Sequence, residues 1–178
     1  MSKLESHFQG SLDGLCGLYA ISNSFDKAGV DPGAVFETAA RALGKSKWPD
    51  VLFSGTTIRD MQVMLKRCSE EYGVLRASYP FLNPKSTPKT NNEYWDRFFE
   101  VTSDDDVLCC IAGVEEPSYH WIVIEPDGGR VRFTDSSHEN QNFRKNVTTI
   151  HAGKRRKSNS HWRLDRSQLI VLKFCDLE

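Results

Sequence analysis

The chain has 178 residues, 39% hydrophobic and 26% charged, with a formal net charge of −1 at pH 7. That length suits one domain, residues 1–178, with one core. The near-neutral charge excludes a global electrostatic reason to bind nucleic acid, and no stretch approaches the ~20 apolar residues of a membrane span. Neither nucleic acid nor membrane is therefore expected as a partner. The segment Met1 to His7 lacks the apolar core of a signal peptide, so a cytoplasmic location is expected. Export by another route, as an effector, is the alternative.

Helices are expected to fill the first half. The first begins near Cys16, runs to about Lys27 and ends at Gly29. The second has Asp31 as N-cap, Pro32 at its first helical position and Gly44 after its end. A third starts after Thr56 or Thr57, carries Ile58, Met61, Leu65, Cys68 and Tyr72 on its apolar side, and stops at Gly73. The polar stretch Asn83 to Asn92 reads as an exposed loop, followed by a shorter helix from Glu93 to Phe99. Strands then come in series: Val107 to Val114, Trp121 to Glu125, Arg130 to Thr134 and Leu169 to Phe174, with Val74 to Tyr79 as an earlier candidate. Helices followed by strands point to an α+β fold. The runs Asp104 to Asp106 and Lys154 to Lys157 read as a solvated turn and a solvated loop.

The five cysteines, Cys16, Cys68, Cys109, Cys110 and Cys175, are odd in number and include no C-x-x-C pair. The paired spacing of a structural metal site is missing, so no metal is expected. Most of the five read as small buried apolar residues. Cys16 differs, because a loop containing Gly10 and Gly14 delivers it to the start of an apolar helix. A helix N-terminus favours a thiolate, and its first backbone N–H groups lack internal partners. One such group can donate to the oxyanion that forms when sulfur attacks a carbonyl. The competing reading is a buried cysteine that opens a core helix.

Among the five histidines, His7, His120, His138, His151 and His161, only His120 opens a strand pattern. That strand leads through Pro126-Asp127-Gly128-Gly129 into Arg130 to Asp135, a hairpin signal. A turn at Asp127-Gly128 sets Glu125 opposite Arg130, Ile122 opposite Phe133 and His120 opposite Asp135. One face then reads His120, Ile122, Ile124, Val131, Phe133 and Asp135. An imidazole held by a carboxylate at the end of an apolar face suits an oriented base. It equally suits a structural His–Asp hydrogen bond at a hairpin mouth.

Together these residues resemble the papain-like cysteine peptidase superfamily. The closer likeness is to its compact bacterial branch, which includes the bacteriocin-leader peptidases, and to ubiquitin-like-protein proteases. The matching positions are Gln9, Cys16-Gly17, His120-Trp121 and Asp135. The resemblance implies a papain-like fold in which the nucleophile helix of a helical N-terminal half packs on an antiparallel sheet. It implies Cys16 as nucleophile, His120 as base, Asp135 as orienter and Gln9 as oxyanion donor, with no metal or cofactor and a protein or peptide substrate. Gln9 departs from the family pattern: it lies seven residues before Cys16, where five or six is usual. A one-residue bulge at Gly10 or Gly14 would absorb the difference. Peptide or isopeptide cleavage through a thioester is the first expectation. A deamidase, an acyltransferase or a silent binding module on the same fold are the alternatives.

Overall fold

A computed structural model describes residues 14–116, 118–136, 142–153 and 162–175. The basic run at Lys154 to Lys157 lies outside them. The helices are α1 (Cys16–Lys27), α2 (Pro32–Ala42), α3 (Trp48–Ser54), α4 (Ile58–Tyr72) and α5 (Asn91–Val101). The strands are β1 (Leu75–Ser78), β2 (Val107–Glu116), β3 (His120–Asp127), β4 (Arg130–Thr134), β5 (Asn142–Asn146), β6 (Ile150–Ala152) and β7 (Trp162–Phe174). Among the described residues no helix is long and apolar enough to cross a membrane.

The expected helices form for local reasons. Asp31 caps α2 by accepting from the Ala34 N–H at 2.7 Å. Thr57 and Asp60 form a reciprocal capping box at the start of α4, and Gly73 ends it in the left-handed conformation with φ 66°. Thr90 caps α5, which extends beyond the expected Glu93 to Phe99 at both ends. Helix α3 was not anticipated: seven residues are too few for a periodic signal.

The strands join into one sheet in the order β1-β7-β2-β3-β4-β5, with β6 parallel to β7 and every other pairing antiparallel. Both faces are buried. Helices α1, α2 and α4 cover one face, where Cys109, Ile111, Trp121, Val123, Ile170 and Leu172 meet Leu18, Ile21 and Phe25 of α1. Tyr94, Trp95 and Phe98 of α5 cover the other, against Cys110, Ala112, Ile122, Ile124, Val131 and Phe133. Adjacent Cys109 and Cys110 thus enter different cores, as the two-residue period of a strand requires. Strands β5 and β6 have little apolar signal of their own, and β7 runs well upstream of the expected Leu169.

The β3–β4 hairpin corrects one sequence expectation. The turn is Gly128-Gly129, with φ 55° and 80°, so Asp127 rather than Pro126 is the last paired residue before it. Glu125 faces Arg132, and Ile124 faces Phe133. The register is therefore shifted by two positions from the one in which Glu125 faces Arg130 and His120 faces Asp135. A two-residue hairpin turn of the favoured hand needs positive φ at both central residues, and Gly-Gly accepts that without a Cβ clash. A shift of two leaves every side chain on its original face.

Helix α1 lies along β3. Its start meets the start of the strand, and at the other end Lys27 pairs with Glu125 at 2.9 Å. The lengths agree: eleven helical rises span ~16 Å and five strand rises span about the same. On its outer side α1 is approached closely by the segment entering α4. A Cβ on Gly17 would stand 2.7 Å from Met61 Sδ and 3.1 Å from Thr56 Cβ. Gly17→Ala is therefore expected to cost about 1–3 kcal/mol, the usual range for overpacking a tight core. Gly44→Ala, where a Cβ meets nothing and φ is −62°, should be near neutral. Urea midpoints at unchanged slope measure both; equal stability of the two variants would refute the close packing at Gly17.

Candidate active site

Cys16 is the first residue of α1 and is 5% exposed. The helix begins after Leu15, which offers no capping side chain, whereas α2, α4 and α5 each have one. The N–H of Gly14 donates to the carbonyl of Leu52 at 2.9 Å, which fastens the approach to Cys16 onto α3. The segment after α3 then passes beside α1. There the Trp121 indole N–H donates to the Thr56 carbonyl at 2.8 Å. A buried Trp requires a partner for its N–H, and this bond ties the start of β3 to the wall beside Cys16.

His120 opens β3, and its Nε2 lies 2.6 Å from Asp135 Oδ1. The imidazole N–H donates to the carboxylate, at the short distance of a charge-assisted bond. Asp135 is 2% exposed, directly after β4. Extending the observed register sets Asp135 opposite Ile122. The two side chains therefore meet along a diagonal of one face, within reach of long side chains. The expected direct opposition is wrong, yet the expected contact forms.

The imidazole also makes a side-chain hydrogen bond with Cys16. Burial is the largest influence on His120 and pulls its pKa down. The hydrogen bonds with Asp135 and then Cys16, with the charges of both, outweigh it and raise the pKa from 6.5 to about 9. At neutral pH the ring is an imidazolium between the Cys16 sulfur and a carboxylate. Burial pushes the Cys68 and Cys109 thiols up to about 12, and it drives Cys110 well upward too.

Cys16 and His120 line a cleft of about 290 Å³. Gly55, Thr56, Tyr119, Trp121 and Gln168 also line it. A larger cavity of about 650 Å³ lies at the other end of α1, near Lys27, Arg132 and Arg144, and contains none of these residues. Among the described residues no three His, Cys, Asp or Glu side chains gather as metal ligands would. The structure thus brings together Cys16, His120 and Asp135. Gln9 lies outside the described residues. Sequence reasoning missed Thr56 and Gln168 as site residues, and it named Trp121 only as part of the His120-Trp121 match. Trp121 was signalled only by its place beside His120, and Gln168 by nothing local.

Comparison with known proteins agrees with this architecture. No family model matches the chain, and no curated protein matches its sequence. Among solved structures, the peptidase domain of Streptococcus ComA, a bi-functional ABC transporter involved in a quorum sensing pathway, is similar with a TM-score of 0.50 and 13% identity. The match covers 94% of this chain and 96% of that one. The chain therefore has the α+β fold of a papain-like peptidase domain, with the helix that opens at Cys16 packed on an antiparallel sheet.

Proposed function

We propose that this protein is a cysteine-dependent hydrolase that cleaves a peptide or isopeptide bond. The observation that carries the reading is His120, bonded to both Cys16 and Asp135, beside an open cleft. The peptidase fold shared over nearly the whole chain supports it, as does the resemblance of its motifs to papain-like cysteine peptidases.

In this reading the Cys16 thiolate attacks the carbonyl carbon and forms a tetrahedral oxyanion. With Nε2 held by Asp135, Nδ1 is the ring nitrogen left for the sulfur. The imidazolium gives its proton to the leaving amine, and the thioester remains on Cys16. Neutral His120 then takes a proton from water, which attacks the thioester and releases the acid. The uncapped N–H groups at the start of α1 supply one oxyanion donor, and Gln9 supplies the second. Asp135 keeps the ring in the required orientation and stabilises its charged form.

Limiting iodoacetamide, read by mass spectrometry on the native protein, should label Cys16 first. Cys68, Cys109 and Cys110 should resist, because burial keeps them as thiols. Faster labelling of half-exposed Cys175 would remove Cys16 as nucleophile.

His120 sets a pH dependence. Its folded pKa of about 9 exceeds the ordinary 6.5, so its pairing stabilises the fold fully below about pH 6.5 and fades as pH rises through 9. The alkaline limb of kcat/KM should accordingly fall near pH 9. Asp135→Asn should lower turnover ~10²–10⁴-fold and move that limb to lower pH, because the carboxylate that supports the imidazolium is gone. An unmoved limb would mean that another group sets it.

Gln9→Ala should lower turnover ~10²–10³-fold with little change in melting temperature. Full activity in that variant would leave the oxyanion to backbone donors alone.

A further inference from the structure

Strand β7 bulges beside the cleft. Ala112 of β2 pairs with Leu169 and Val114 with Leu164, so Asp165 to Gln168 stand opposite Gly113 alone. Such bulges re-aim side chains. Three of these four residues are fastened, Asp165 and Ser167 to each other and Arg166 to a distant loop. Asp165 Oδ1 accepts from the Ser167 N–H at 2.8 Å and from the Ser167 hydroxyl at 2.7 Å. The Arg166 guanidinium donates to the Lys89 carbonyl.

Gln168 is the fourth, and it turns towards the cleft. It lies across Gly113, where a Cβ would stand 3.0 Å from Gln168 Cβ and would collide with its Oε1. Gly113 faces Trp121 across the β2–β3 ladder, so this row sits on the sheet face that carries Trp121 and Cys16. The absent side chain at Gly113 is what lets the carboxamide lie flat on β2 beside the wall of Trp121. Among the described residues no hydrogen bond engages that carboxamide, and Gln168 lines the same cleft as Cys16 and His120.

We infer that Gln168 binds the main chain of a peptide substrate in the cleft, its Nε2 donating to a backbone carbonyl and its Oε1 accepting from a backbone N–H. A carboxamide carries the donor and acceptor pair of a peptide unit, so it meets one as a neighbouring strand would. The inference rests on the peptide-hydrolase reading and adds the residue that orients the substrate.

The test uses the full chain with two electrophiles: iodoacetamide, which has no peptide, and a set of N-capped dipeptidyl chloromethyl ketones. Gln168→Ala should raise the KI of the peptidyl reagents about tenfold while their limiting inactivation rate stays within about threefold. The iodoacetamide rate at Cys16 should hold. Gln168→Glu, which keeps shape and acceptor but loses the donor, should also raise KI and guards against a folding defect in the alanine variant. Gly113→Ala should raise KI in the native background and raise it less in Gln168→Ala, where the collision with the carboxamide is gone and only the contact with the 168 Cβ remains. An unchanged KI, or a loss confined to the inactivation rate, overturns the assignment while leaving the hydrolase reading intact. Absence of any peptidyl adduct on wild-type Cys16 overturns that reading, and the assignment with it.

Discussion

The seating of helix α1 along strand β3 is the constraint on which the rest of the molecule depends. Leu18, Ile21 and Phe25 are fully buried against the sheet and contribute ~1.5–3 kcal/mol each. Burial has no direction, so it does not by itself choose where along the strand the helix stops. The two ends make that choice. Cys16 meets His120 at one end, and Lys27 meets Glu125 at the other. A slide of one helical turn, ~5.4 Å, would break both contacts at once.

That seating also creates the electrostatics of the site. Asp135 is almost fully buried, and an unpaired carboxylate there would be costly. The carboxylate therefore holds His120, and a charged His120 satisfies it. The pair reaches Cys16 through the imidazole, while Cys68, Cys109 and Cys110 sit among apolar groups that favour the neutral thiol.

The hairpin shows how a functional contact survives an error in register. Sequence reasoning put the turn at Asp127-Gly128, and the structure puts it at Gly128-Gly129. Because side chains alternate with period two, the correction moves partners along the strand without moving any side chain to the other face. His120 and Asp135 still share that face and reach each other diagonally. A correction of one residue would have separated them.

The sequence by itself determined what depends on neighbours along the chain. Asp31, Thr57 and Gly73 mark helix ends because capping is satisfied within a few residues. The alternation around the β3–β4 turn assigned faces, and glycine before Cys16 marked an unusual helix start. From these, Cys16, His120 and Asp135 could be singled out together. Tertiary structure alone decided what joins distant segments. The Trp121–Thr56 bond spans 65 positions, Gln168 reaches the cleft over Gly113, and polar β5 is a strand only because β4 offers it a ladder. No local propensity carries such information, because each of these contacts costs loop-closure entropy that only the finished packing of helices and sheet repays.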